Sequence, residues 1–306
     1  MKCFRLWQGF LLATLASASA QVTVQVAMEQ QQFLPGEAVQ VAVRITNRSG
    51  QTLHLGADPD WLTFTVEGKE EPTVVAKLGD APVAGEFELE SSKVATKRVD
   101  LAPYFALGQP GRYAVVANVR IADWNRMISS PPKEFNVIQG AHLWEQTVGL
   151  PAAPGAVPEV RKYILQQANY FKGSPRLYLR VTDATGRSLK VFQIGSIVSF
   201  GQPDPQVDKT SNLHVLYQMG PGVFSYTVFN PDGDVTTRQI YDYITTRPRL
   251  RLDDQGNVAV VGGVRRVTPE DSPQVSESAP TTSGSNSPPR ATLPAQTPET
   301  AKAPKP

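Results

Sequence analysis

Apolar and polar residues alternate along most of the first half of this chain, and that alternation constrains its fold more than any other feature. Val22, Val24, Val26 and Met28 share one parity, as do Val39, Val41, Val43 and Ile45. Leu62, Phe64 and Val66 follow, then Phe87 and Leu89, then Tyr113, Val115, Ala117 and Val119. Successive side chains of a strand point to opposite faces, so these runs predict half-buried strands. Turn chemistry separates them: Pro35-Gly36, Asn47-Arg48-Ser49-Gly50, Asp58-Pro59-Asp60 and Gly108-Gln109-Pro110-Gly111. Glycine supplies positive φ, proline fixes φ, and Asn or Asp bonds its own backbone. Roughly seven short strands in about 120 residues predict an antiparallel sandwich over residues 21–140.

Two segments carry a resemblance. Phe33-Leu34-Pro35-Gly36-Glu37, Val39 to Ile45 and Thr46-Asn47-Arg48-Ser49-Gly50 resemble the opening of many bacterial immunoglobulin-like domains. Pro110-Gly111-Arg112-Tyr113, leading into Ala114 to Ile121, resembles a late strand of the same domains. The resemblance implies an exported immunoglobulin-like sandwich and carries no active site. A Cys…Trp…Cys signature is missing, so an antibody-type domain is not implied.

The first twenty residues read as a secretory leader. Met1-Lys2-Cys3-Phe4-Arg5 supplies the charge, Leu6 to Leu15 the apolar stretch, and Ala18-Ser19-Ala20 a small-residue cleavage site. The apolar run is shorter than the ~20 residues a spanning helix needs. Cleavage after Ala20 removes Cys3, the single cysteine, and with it disulfides, thiol nucleophiles and thiolate metal sites. It also removes Lys2 and Arg5 from 30 basic and 28 acidic residues, leaving equal numbers of each sign. A chain with balanced charge and no basic run argues against nucleic acid and against anionic lipid as partners. The expected location is the periplasm or the exterior, with no integral membrane segment after cleavage.

Residues 141–158, rich in Gly, Pro and Ala, are expected to form a linker interrupted by His142, Leu143 and Trp144. Residues 159–267 show an internal match. Tyr163 to Gln167 aligns with His214 to Gln218, and Leu177 to Gly195 with Phe224 to Asp242, each unit reading strand, loop, strand, tight turn, strand. Val160 to Phe171 also fits one face of a helix, and the match to the short Leu213 to Gln218 segment decides for strand. Units of this size resemble propeller blades, although two cannot close a propeller, which needs at least about four. An open sheet, a sheet folded against the first domain and part of an oligomeric ring all remain open. Leu250-Arg251-Leu252 and Val258 to Val261 add a hairpin. Residues 268–306 are Pro, Ser, Thr and Ala without an aromatic, a composition expected to stay disordered. The expected class is therefore all-β: a sandwich, a repeated antiparallel meander and a tail.

The chain carries few of the residue patterns that chemistry requires. His54 lies between Leu53 and Leu55 and is expected to face solvent, while His142 and His214 lack a metal-ligand pattern. No Gly-x-Ser-x-Gly elbow or phosphate loop occurs. No cofactor, catalytic residue or metal ligand is therefore assigned. Asp204 with Asp208, and Asp232 with Asp234, are the acids that a glycan-active hydrolase would use as a pair. Asn230 to Asp234 has the composition of a calcium loop but the spacing of a hairpin turn. Asn47-Arg48-Ser49 is a formal glycosylation sequon on a turn. Of Trp61, Trp124 and Trp144, Trp124 is expected to be the most exposed and is the candidate binding anchor. These features point to a non-catalytic exported binding or scaffold protein with a protein or glycan partner. A secreted hydrolase using the acids of the second domain is the alternative.

Overall fold

The alternating segments form strands whose apolar parity is buried. In β3 (Gln40–Asn47), Val41, Val43 and Ile45 are shielded from solvent while the residues between them are not. The computed structural model describes residues 22–69, 75–83, 85–150, 159–169 and 173–267. The leader, the second half of the expected linker and the Pro/Ser/Thr-rich tail lie outside the described residues. The architecture is all-β, with antiparallel sheets and one short 3-10 turn at Ala122–Trp124.

The first group of strands builds one core between two sheets. β1 (Val22–Ala27), β3 and β7 (Val94–Asp100) form one sheet in the order β1-β3-β7. β2 (Gln32–Phe33), β5 (Leu62–Gly68), β8 (Gly111–Ile121) and β10 (Lys133–Val137) form the other, in the order β2-β10-β8-β5. β9 (Arg126–Ser129) extends β8, and β4 (Leu53–Leu55) pairs with β6 (Phe87–Leu89). The inward side chains, among them Val43, Ile45, Trp61, Phe64, Val115 and Phe135, make a continuous cluster. Each fully buried aliphatic or aromatic of this kind contributes about 1.5–3 kcal/mol.

The second group consists of stacked sheets. β11 (Ala141–Gly149), β12 (Val160–Ala168), β13 (Arg176–Thr182) and β14 (Ser188–Ser196) form a four-stranded meander. β15 (Asp204–Val207), β16 (Leu213–Gly220), β17 (Val223–Phe229), β18 (Val235–Asp242) and β21 (Val264–Arg266) form a five-stranded sheet. Tyr163, Leu165, Leu179 and Val181 of the first meet Val215, Tyr217 and Phe229 of the second in one core. On the far face of the five-stranded sheet, Phe224, Tyr226 and Val228 pack against Leu250, Val258 and Val260. Those three belong to the hairpin of β19 (Arg249–Leu252) and β20 (Val258–Val261).

One expectation changes here, and one alternative is decided. Ala141–Gly149 is the edge strand of the four-stranded meander and not a linker. A register shift between His142 and Trp144 breaks its period, which hid it from the alternation test. The strand choice for the segment after Pro158 agrees with β12. The meander does not stand free: its outer face, through Ala168, Tyr178 and Val191, packs on Leu34 and Ile138 of the first group.

The contact is built by Leu34-Pro35-Gly36-Glu37. Glu37 N donates to Leu34 O at 3.0 Å, and Gly36 has φ +79°. Proline second and a positive-φ glycine third define a type II turn. The Glu37 carboxylate locks it, accepting from Leu34 N at 2.8 Å and from Gln30 Nε2 at 2.7 Å. Burial pushes the Glu37 carboxyl up from its ordinary value, against those two bonds and the Arg176 charge.

Candidate functional site

Four hairpin turns of the second group share one construction. At Asp183, Asp208, Asn230 and Asp253 the side-chain Oδ1 accepts the backbone N–H two and four residues ahead. The residue three ahead carries positive φ in each: Gly186, Ser211, Gly233 and Gly256. Short Asx side chains bond the backbone in this way because their oxygen reaches the second N–H without strain. All four turns lie at the same end of the sheets by strand direction, and Lys209 N donates to Gly256 O across two of them at 2.9 Å.

The candidate acids take part in this bracing. Asp208 accepts from Thr210 and Asn212, and its Oδ2 lies 3.2 Å from His214 Nε2. Burial alone would raise the Asp208 carboxyl, but the bonds from Asn212, His214 and Thr210 together outweigh it and hold it at about 2. The carboxylate is then ionised, so Nε2 of a neutral His214 carries the ring proton and donates. Nδ1 is left to accept from the Tyr226 hydroxyl, 2.7 Å away. His214 and Tyr226 are both buried, and burial, with Tyr241 and Asp208 nearby, pushes the Tyr226 phenol up to about 12. A phenol held protonated is a donor and a poor nucleophile. The array ties β16 and β17 to the β15–β16 turn.

Asp204 does not face Asp208 as a pair. Its Oδ2 accepts from Leu250 N at 2.9 Å and anchors the β19–β20 hairpin. Asp234 is held by Lys190 at 2.5 Å, and that lysine is the main cause of its lowered carboxyl. Asp232 is exposed, 3.8 Å from Arg161. Among the described residues, no three His, Asp or Glu side chains converge as a metal site would require.

The sandwich end that carries Trp124 differs from expectation. Trp61 is buried, with Nε1 donating to Val83 O at 2.8 Å. Trp124 is half-buried against the sandwich core and not exposed. Trp144 is half-buried as well, on the core between the two larger sheets of the second group. The 3-10 turn that ends at Trp124 closes on Asn125 at φ 46°. It aims Asp123 Oδ2 at His54, 3.2 Å from Nδ1, and the His54 ring and backbone bonds lower the Asp123 carboxyl. Glu88 Oε1 sits 3.6 Å from His54 Nε2. His54 is thus exposed between buried Leu53 and Leu55, as its spacing predicted. All three histidines have carboxylate neighbours that sequence reasoning missed, His142 lying 3.2 Å from Glu145. Asp208 reaches His214 across a hairpin turn and Asp123 reaches His54 from 69 residues away, neither at a spacing that a sequence pattern carries.

The sandwich also carries a shallow cleft of about 580 Å³ along Arg112, Asn136, Ile138 and Gln139. A smaller one of about 210 Å³ runs along Leu62, Phe64, Lys77 and Asp80.

No protein-family model and no curated protein matches this chain. Among solved structures it is similar to the sporulation control protein Spo0M from Bacillus subtilis. The two are 13% identical, the match covers 57% of this chain and 90% of that one, and the TM-score is 0.29. A likeness this loose carries no functional argument.

Proposed function

We propose that the chain is an exported, non-catalytic binding or scaffold protein of the bacterial envelope or exterior. The observation that carries the reading is the use made of the acids that a hydrolase would need. Asp204 and Asp208 brace backbone or histidine at separate points, and Asp234 is paired with Lys190 beside its turn. Retaining and inverting glycosidases both need two carboxyl groups facing across a sugar, about 5–9.5 Å apart, with freedom to reach it. Side chains committed to turns support bracing over chemistry.

Within this reading, residues 21–140 are an immunoglobulin-like module and residues 159–267 carry blade-like repeats. Two features support the repeats. Tyr163 pairs with Val181, and His214, its aligned counterpart, pairs with Val228, the counterpart of Val181. The register shifts fall after Val181 in one unit and after Val228 in the other. The partner-binding end is assigned to the loops around Trp124, where Met127 is exposed and Arg126 flanks it. Loops at the end of a rigid sandwich are common binding surfaces.

Two experiments test the function. The tagged chain is expressed in a bacterium, fractionated and sequenced from its N-terminus, with Gln21 expected first in the exported fraction. Cross-linking in the envelope is then compared between the native chain and Trp124→Ala, which is expected to lose a specific adduct. A chain that begins at Met1 in the cytoplasm overturns the reading. So does hydrolysis of a polysaccharide panel that Asp232→Asn abolishes.

A further inference from the structure

The end of the second group opposite the four Asx turns has the reverse character. Four connections meet there, and three short contacts tie them together. Val198 N donates to Gln218 O at 3.1 Å, linking the loop after β14 to the tip of the β16–β17 hairpin. Tyr243 N donates to Gly222 O at 2.7 Å, linking that tip to the strap after β18. Gly263 N donates to Thr246 O at 2.9 Å, linking the strap to the β20–β21 turn. Gly262 permits the last approach, since a Cβ there would lie 2.8 Å from Arg247 O.

Large apolar side chains crown these connections. Phe200 is 99% exposed and Ile244 70%, and Met219, Tyr243, Val261 and Val264 are exposed beside them. None of these residues fills a core, and isolated exposed apolar residues would need no explanation. Here six fall on adjoining segments, and such a concentration marks an interaction surface.

Arginines outnumber acids behind the crown, where Asp204 is held by Leu250 N and Asp242 by Arg266. Arg247 rests its guanidinium 5.3 Å from the Phe224 ring centroid, and Arg249 lies opposite Val261 in the β19–β20 ladder. Among the described residues neither is paired with a carboxylate. From Arg238 to Arg266 the chain has six arginines against three aspartates. Of those aspartates, Asp242 is held by Arg266 and Asp253 by its own turn. At the far end of the same sheets Asp183, Asp232 and Asp234 each face a base, in Arg187, Arg161 and Lys190. Among the described residues, the cations without a carboxylate partner at the crown end are thus Arg247 and Arg249.

We propose that this apolar, arginine-backed end docks on the surface of an anionic phospholipid bilayer. Apolar tips with cations set just behind them match the acyl boundary and headgroup layers of such a surface. A soluble polyanion would use the arginines but leave Phe200 and Ile244 in water. Arg247 and Arg249 would face the anionic headgroups. This reverses the expectation drawn from total charge, and it stands apart from any partner held near Trp124.

Co-sedimentation with vesicles tests it. The exported form, beginning at Gln21, is expected to pellet at low salt with mixed phosphatidylcholine–phosphatidylglycerol vesicles and not with phosphatidylcholine alone. Arg247→Gln and Arg249→Gln should each lower partitioning by roughly fivefold. Phe200→Ser with Ile244→Ser should lower it further, with the circular dichroism spectrum unchanged. In the exported form, which lacks Cys3, Phe200→Cys supplies the one thiol, and a polarity-sensitive dye on it should shift to the blue with anionic vesicles. Three results overturn the proposal: no pelleting, equal pelleting with neutral vesicles, or variants that bind as the native chain does. A dimer that Phe200→Ser dissolves would also overturn it, because a second copy would then cover the crown. Loss of the Trp124 adduct without loss of vesicle binding separates the two sites.

Discussion

The guanidinium of Arg180 donates to the carbonyl of Pro35 at 2.7 Å, across 145 residues of sequence. Arg180 reaches out from β13, fixed by Gln166 Oε1 and Ser188 Oγ, and burial lowers its value from the ordinary one. Pro35 sits at the tip of the type II turn. One planar donor thus joins the first group of strands to the second, where five fixed N–H groups suit an irregular acceptor set.

That join makes a prediction about cooperativity. Arg180→Ala leaves the Pro35 carbonyl short of its donor and should cost about 1–3 kcal/mol. Gly36→Ala forces a side chain into positive φ, at about 1–2 kcal/mol, with its Cβ 3.4 Å from Val191. Both should separate the melting of the two groups. Differential scanning calorimetry is expected to show one main transition in the native chain and two in either variant.

Asp208 predicts an acid limb. Its folded value of about 2 lies below the unfolded 3.8, so folding favours the ionised form. The stabilisation is complete above the unfolded value and is lost as pH falls from about 4 to about 2. The shift corresponds to about 2 kcal/mol. Urea unfolding of the native chain and Asp208→Asn should therefore differ most near neutral pH. The part of the gap that depends on pH should close by about pH 2.

Much of this body was legible because alternation survives wherever one face of a strand is buried. Val41, Val43 and Ile45 read correctly for that reason. The β11 strand did not, because its bulge at His142–Trp144 moves Leu143 and Trp144 out of period. Trp124 read as exposed because its neighbours Asp123, Asn125 and Arg126 are polar, yet a 3-10 turn rolls its ring back on the core. The Asp208–His214 bond was hidden by a hairpin that returns the chain on itself within six residues. The apolar end was hidden most completely. Phe200, Met219, Ile244 and Val261 are scattered through the sequence and reach one end only through the strand order.

Asn47 predicts a large cost at a position that reads as a glycosylation sequon. Its side chain is fully buried. Nδ2 donates to Gln51 O at 2.7 Å and Leu89 O at 2.8 Å, and Oδ1 accepts from Ser49 N and Oγ. Every bonding direction of the amide is used, so Asn47→Ala should cost about 2–3 kcal/mol by stranding buried partners. Asn47→Asp should lose more at neutral pH, since its carboxylate would face two carbonyls. It should recover part of that loss at low pH. Urea midpoints of the two variants across pH check both statements.

Two serines in the same backbone region predict opposite responses to one substitution. Ser92 and Ser211 both have φ 67°, where a Cβ costs roughly 1–2 kcal/mol and glycine none. Ser92 is exposed on the turn before β7, and its backbone N–H bonds Asn47 O without help from the side chain. Ser92→Gly should therefore raise stability, by about 0.5–1 kcal/mol after the added freedom of the unfolded chain is counted. Ser211 is buried, and its Oγ donates to Gly149 O at 2.8 Å. Relief of strain at Ser211→Gly is then offset by an acceptor left unbonded, worth about 1–3 kcal/mol. Thermal melts should rise for Ser92→Gly and hold or fall for Ser211→Gly. Equal gains at both sites would mean that the Ser211–Gly149 bond contributes nothing to holding β11 against the β15–β16 turn.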